Sequence, residues 1–183
     1  MANKKPKTKN SKSKGKDKDP EVELIAHLRF KKYYYAADEV TIGNSRADVL
    51  ALDKNARNTI ELEFKRSSHD LKVLENKKKK NTGRGWGNLK PNRFFFVMPM
   101  KLWKKECTYL KEKAKEQGFG VLVYFVGTSR PRKLTFMTFI SSKLQTGAGV
   151  TRYDIAERAV LSRVTSAYAR LLMLHYRGVD KWL

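Results

Sequence analysis

An α/β fold, with a central mixed β-sheet flanked by helices, is predicted by three features of this 183-residue chain. Two runs read as paired strands: Ala47 to Leu52, apolar apart from Asp48, and Thr59 to Lys65, where Ile60, Leu62 and Phe64 alternate with Glu61, Glu63 and Lys65. Farther on, the unbroken apolar runs Phe94 to Met98 and Gly120 to Val126 enclose a helix-length segment, a strand–helix–strand succession typical of sheets covered by helices. Near the end, a long helical stretch keeps most of its apolar residues to one side.

Taken in order, residues 1–19 contain eight lysines and almost nothing apolar, so they cannot repay the entropy of ordering and are expected to form a disordered basic arm. Residues 20–183 are expected to form one domain. Asp19-Pro20 is a helix start, with Asp19 as cap and Pro20 in the first turn. On that helix Leu24, Ile25 and Leu28 make an apolar stripe, and the spacing places Glu21, but not Glu23, on the same side. A first strand is expected around Glu39 to Ile42, and Gly43-Asn44-Ser45 turns the chain into the strand of Asp48. Ser67 or Ser68 is placed to cap a helix from His69 to about Lys80. The Phe94 to Met98 strand stops at Pro99, a helix runs from Lys101 to Gln117 and ends at Gly118, and strands follow at Gly120 to Val126 and Leu134 to Ile140. The last helix spans about 153–176; Val160, Leu161, Val164, Tyr168, Leu171, Leu172 and His175 lie toward one side, flanked by Arg163, Arg170 and Arg177 at seven-residue intervals.

The chemistry concentrates at the hairpin. If its turn is centred near Asn55 and Ala56, antiparallel pairing sets Asp48 opposite Glu63 or Phe64, and the period of two puts Glu61, Glu63 and Lys65 on one strand face. Two carboxylates and an ammonium then meet at the open end. Adjacent carboxylates call for a counter-ion, and a hard divalent cation such as Mg²⁺ takes oxygen ligands of this kind. The same pattern also describes an ordinary half-buried strand with a solvated charged face. Glu21, facing the core beside this end, and Glu61, in phase with Glu63, are alternative third acids.

The order Asp48, hairpin, Glu63-Phe64-Lys65, then Arg66-Ser67-Ser68-His69-Asp70 resembles the core motif of the PD-(D/E)XK, or restriction-endonuclease-like, nuclease superfamily. Within it, Arg46-Ala47-Asp48-Val49 and Phe94-Phe95-Phe96-Val97-Met98-Pro99 look closest to the MmcB-type DNA-repair nuclease-like proteins. The resemblance covers roughly residues 21–126. It implies a Mg²⁺-dependent endonuclease, with Mn²⁺ as an alternative metal, that hydrolyses DNA phosphodiester bonds in repair, recombination or junction processing. It further implies that Asp48, Glu63 and the backbone carbonyl of Phe64 hold the metal, that Lys65 is the catalytic lysine, and that a helical glutamate, here Glu21, completes the catalytic and metal set.

Charge supports a polyanionic partner. The net charge is +22, and about +16 of it lies beyond the first twenty residues. Such a surface attracts nucleic acid in a salt-dependent way, DNA first and RNA as an alternative. Lys77, Lys78, Lys79 and Lys80, followed by the glycine-rich segment that carries Arg84 and Trp86, are expected to grip phosphate and stack or wedge; Arg163 and Arg170 are expected to face the backbone as well. Cleavage of both strands would require two centres, hence an expected homodimer. No apolar run approaches the ~20 residues that cross a bilayer. The single Cys107 excludes an intramolecular disulfide, and with no secretory apolar segment the expected setting is cytoplasmic or nucleoid-associated. A non-catalytic DNA- or RNA-binding protein on the same fold is the alternative function.

Overall fold

The structure is a computed structural model that describes residues 19–31, 34–53, 55–71, 90–127, 134–147 and 150–179; the side chains of 30, 31 and 170–179 are outside the description. The basic arm expected over 1–19 therefore falls outside it except for Asp19.

The elements run α1 (Pro20–Lys31), β1 (Tyr35–Ile42), β2 (Ser45–Asp53), β3 (Asn58–Phe64), β4 (Arg93–Pro99), α2 (Met100–Gln117), β5 (Gly120–Val126), β6 (Leu134–Ile140) and α3 (Tyr153–Val179). Among the described residues the strands form one six-stranded sheet in sequential order. The pairs β1–β2, β2–β3 and β5–β6 are antiparallel, whereas β3–β4 and β4–β5 are parallel. The chain is thus α/β with a mixed sheet flanked by helices. Among the described residues no helix is long and apolar enough to cross a membrane.

Local chemistry sets the boundaries. Asp19 caps α1 by accepting the Glu21 amide at 3.0 Å, which satisfies one of the helix's orphan donors. The β2–β3 turn is held by Asp53, whose Oδ1 accepts the amides of Asn55 and Ala56 at 3.0 and 3.1 Å. Gly118 ends α2 at φ 77, donating its amide to the Ala114 carbonyl, a left-handed conformation that glycine adopts without a Cβ penalty.

The two sheet faces have separate cores. On one, Leu24 and Leu28 of α1 pack on Val49, Ala51, Ile60, Leu62, Phe64 and Val97. On the other, α3 contributes Ala156 and Val160 against Ala37, Leu50 and Leu52, and α2 contributes Leu102, Trp103 and Leu110 against Phe94, Phe96 and Val123. Burying each large apolar side chain contributes roughly 1.5–3 kcal/mol. Gly120 allows β5 close to β4, because a Cβ there would stand 2.3 Å from the Phe95 ring.

Three expectations change. β1 begins at Tyr35, several residues before the expected start. β3 is not half-buried: Glu61 and Lys65 are buried along with the apolar residues, because β3 lies inside the sheet with cover on both faces. On α3, Val160 is buried, but Leu161 and Tyr168 are exposed, so the covered stripe is narrower than the sequence pattern.

Candidate functional site

The β2–β3 register pairs Val49 with Leu62, and its continuation places Asp48 opposite Glu63. Side-chain alternation sends Glu61, Glu63 and Lys65 to the α2/α3 face, where Glu63 lies beside Phe96 of β4. The Phe64 side chain goes to the opposite, α1-side core. What Phe64 offers the site is its backbone, and its amide already donates to Asp48 Oδ2 at 2.8 Å. This hydrogen bond ties β2 to the end of β3 and fixes the aspartate.

Lys65 is buried, and its Nζ donates to Glu63 Oε1 at 2.6 Å. The two side chains are only 7% and 12% exposed, so each charge depends on the other for the solvation it has lost. The ammonium also stands over the Phe96 ring, 5.6 Å from its centroid. Its position is set by the sheet interior. The Lys65 amide extends the parallel pairing by donating to the Val97 carbonyl at 2.8 Å.

These residues open onto a cleft of about 510 Å³ lined by Glu21, Glu39, Arg46, Asp48, Glu63, Phe64, Lys65, Arg66 and Asp70. Glu21 arrives from α1, on the other side of the sheet, and its Oε1 accepts from Arg66 Nη2 at 2.9 Å. Burial pushes the Glu21 carboxyl above its usual range; Asp19 adds to the rise, Arg66 opposes it, and Asp48 adds a further increment. Glu61 is 4% exposed within the strand and does not line the cleft. Of the two alternative third acids, Glu21 lines the same cleft as Asp48 and Glu63 and Glu61 does not.

Sequence reasoning anticipated Ser67 or Ser68 as a cap but missed the supporting charges of Glu39, Arg163 and Asp70. Glu39 sits at φ 48 and joins Arg46 to Arg163: one carboxylate oxygen meets Arg46, and the other accepts from Arg163 Nη2 at 3.3 Å. Arg163 Nε also donates to the Asp38 carbonyl at 3.1 Å, so this arginine braces β1. Asp70 and Ser67 form a reciprocal cap: the Asp70 amide donates to Ser67 Oγ at 3.2 Å, and Asp70 Oδ2 accepts the amides of Ser67 and Arg66 at 3.0 and 3.2 Å. The Ser67 hydroxyl first, then, against the opposing effect of burial, those two amides and the Lys65 charge, hold the Asp70 carboxyl below its usual range. The Ser-x-x-Asp spacing was a readable signal for this cap. Glu39 had none, since its role depends on a contact with a helix more than a hundred residues away.

Lys77, Lys78, Lys79, Lys80, Arg84 and Trp86 lie outside the described residues, as does the Arg170 side chain. Among the described residues, no group of three or more His, Cys, Asp or Glu side chains is arranged to hold a metal ion. The donors at the cleft are nonetheless all carboxylate and backbone oxygens, a set that suits a hard divalent cation completed by water.

No protein-family model matches the chain, and no curated protein matches it. Among solved structures, it is similar to SPO1766, a protein of unknown function from Silicibacter pomeroyi, with TM-score 0.53 and 16% identity over 87% of this chain and 93% of that one. Pyrococcus furiosus SfsA, solved in complex with Ca²⁺, matches with TM-score 0.35 and 14% identity over 67% of this chain and 61% of that one.

Proposed function

We propose that this chain is a Mg²⁺-dependent endonuclease of the restriction-endonuclease-like kind that hydrolyses DNA phosphodiester bonds. The observation that carries the reading is the meeting of Asp48, Glu63 and Lys65 at one end of the β2–β3 pair, facing a cleft that Glu21 enters from α1. Asp48, Glu63 and the Phe64 carbonyl would hold the cation, with Glu21 joining them once it turns from Arg66 and with Mn²⁺ as a substitute. Such a cation supplies Lewis-acid polarisation of a phosphoryl oxygen and lowers the pKa of water.

The chain's own residues supply orientation. Asp48 is fixed by the Phe64 amide, and Lys65 is fixed by Glu63 and the Phe96 ring, so the ammonium needs little reorganisation to stabilise charge developing on phosphate. Arg46 and Arg66 stand at the cleft with more than half of each side chain exposed, within reach of an entering phosphate. The strong positive charge of the chain steers DNA toward it. Repair, recombination or junction processing is the proposed setting, and cleavage of both strands calls for a homodimer.

A non-catalytic DNA- or RNA-binding protein is the second reading. It is favoured by the engagement of Asp48 Oδ2 with Phe64 and of Glu63 Oε1 with Lys65 within the protein itself. Cleavage of labelled linear, nicked, flapped and four-way DNA with Mg²⁺, Mn²⁺ or chelator separates the two. Wild-type protein should give metal-dependent products that Asp48→Asn and Lys65→Ala lose while still binding DNA. Tight binding without cutting in any metal would select the second reading.

A further inference from the structure

Resting on the nuclease reading, we propose that Arg66 is a DNA-phosphate ligand held in check by Glu21, and that a divalent cation beside Asp48 and Glu63 releases it by drawing Glu21 away. Occupying the cation site and gripping the DNA backbone are then one coupled event.

The cleft is the first reason. Its charged lining comprises the acids Glu21, Glu39, Asp48, Glu63 and Asp70 against the bases Arg46, Lys65 and Arg66, an acidic pocket in a chain of net charge +22. Phosphate is drawn to the molecule as a whole but repelled at this spot. A divalent cation cancels that local excess of negative charge, and Glu21 is the acid best placed to follow it. Glu21 shares the cleft with Asp48 and Glu63 and, among the described residues, is held there by one contact, the Arg66 guanidinium at 2.9 Å.

The pair itself is the second reason. Arg66 and Glu21 meet at 2.9 Å with side chains 63% and 27% exposed, and exposed pairs of this kind contribute little and exchange readily. The released guanidinium presents a planar fork that matches two phosphate oxygens. Arg46 is held differently. Its partner Glu39 is also bound by Arg163, which is anchored on the β1 backbone, so Glu39 has less freedom to leave. By linkage, a cation that strengthens DNA binding through this exchange must itself bind more tightly when DNA is present.

A double-mutant cycle in chelator tests the exchange without metal or turnover. Binding of labelled duplex DNA would be measured by fluorescence anisotropy across salt for wild type, Glu21→Gln, Arg66→Ala and the double variant. Glu21→Gln is expected to bind about 5-fold more tightly, with the slope of log K against log salt steeper by about 0.9, the value of one added phosphate contact. In the Arg66→Ala background the same substitution should change neither quantity. With Ca²⁺ added, wild type should approach Glu21→Gln, and Arg66→Ala should gain less. Equal tightening by Glu21→Gln in both backgrounds, with an unchanged salt slope, would overturn the proposal, because simple removal of a negative charge would explain it. A non-additive cycle in a protein that never cuts DNA keeps the exchange and discards the nuclease. An additive cycle in an active nuclease does the reverse, and absence of DNA binding overturns both.

Discussion

Lys65 and Arg66 are consecutive, and each holds a glutamate, yet the two pairs behave as different devices. Lys65 and Glu63 meet inside the sheet, 7% and 12% exposed, whereas Arg66 and Glu21 meet at the cleft mouth, 63% and 27% exposed. Strand alternation produces the difference, since neighbouring residues leave the end of β3 in opposite directions. A buried pair has given up hydration and cannot open without leaving a charge stranded; an exposed pair has water to fall back on. One chain position therefore separates a fixed part of the site from an exchangeable one.

Replacing each of the two basic side chains by alanine in turn should separate the pairs most clearly. Lys65→Ala strands the Glu63 carboxylate and should cost about 3 kcal/mol in urea unfolding, with DNA cleavage reduced at least ~100-fold. Arg66→Ala should cost under about 1 kcal/mol. Equal losses would mean that burial does not distinguish the pairs, and that the Lys65 ammonium reaches water by a route the packing against Phe96 does not suggest.

How much of this was legible in the sequence follows the range of the contacts. The turn chemistry of Asp53 to Asn58 centres the hairpin, and counting outward from it sets Asp48 against Glu63 or Phe64 with no tertiary information; the strand register selects Glu63. The helix-start signal at Asp19-Pro20 and the stripe of Leu24 and Leu28 likewise put Glu21 on the core side. Alternation alone could not show that the charged face of β3 is covered, because that depends on β4 pairing in parallel beside it and on helices far along the chain. Arg163 is the clearest case of a pattern read differently by the fold. Its seven-residue recurrence suggested a ridge for phosphate, whereas the side chain is 23% exposed and spent on Asp38 and Glu39.

A smaller effect is expected just beyond Arg66, where the chain starts a helical turn. Ser67→Ala removes the hydroxyl that accepts the Asp70 amide and should cost about 1 kcal/mol. Asp70→Asn should also destabilise near neutral pH. The Asp70 carboxyl is held below its usual range, so its contribution is present above the ordinary aspartate value and disappears as pH falls through the lowered one. The gap between wild type and Asp70→Asn should accordingly close in acid. A gap that persists there would assign the loss to the changed amide rather than to the carboxylate charge.

The smallest effect carries the opposite sign and bears most directly on the exchangeable pair. Glu21 is raised above its usual value of 4.5, chiefly by burial, so the folded protein holds this proton more tightly than the unfolded chain does. Its contribution to stability is complete below the usual value and is lost as pH rises through the raised one. Glu21→Gln cannot titrate, so its stability relative to wild type should improve with pH across that window, with a total change within about 0.5 kcal/mol because the site is partly solvated. Arg66→Ala removes the charge that opposes the rise, so the window in that background should extend to higher pH. A difference between wild type and Glu21→Gln that stays flat with pH would mean that Arg66 fully compensates the buried carboxylate. Glu21 would then gain nothing by exchanging Arg66 for a cation, and the two pairs beside β3 would differ in exposure but not in readiness to open.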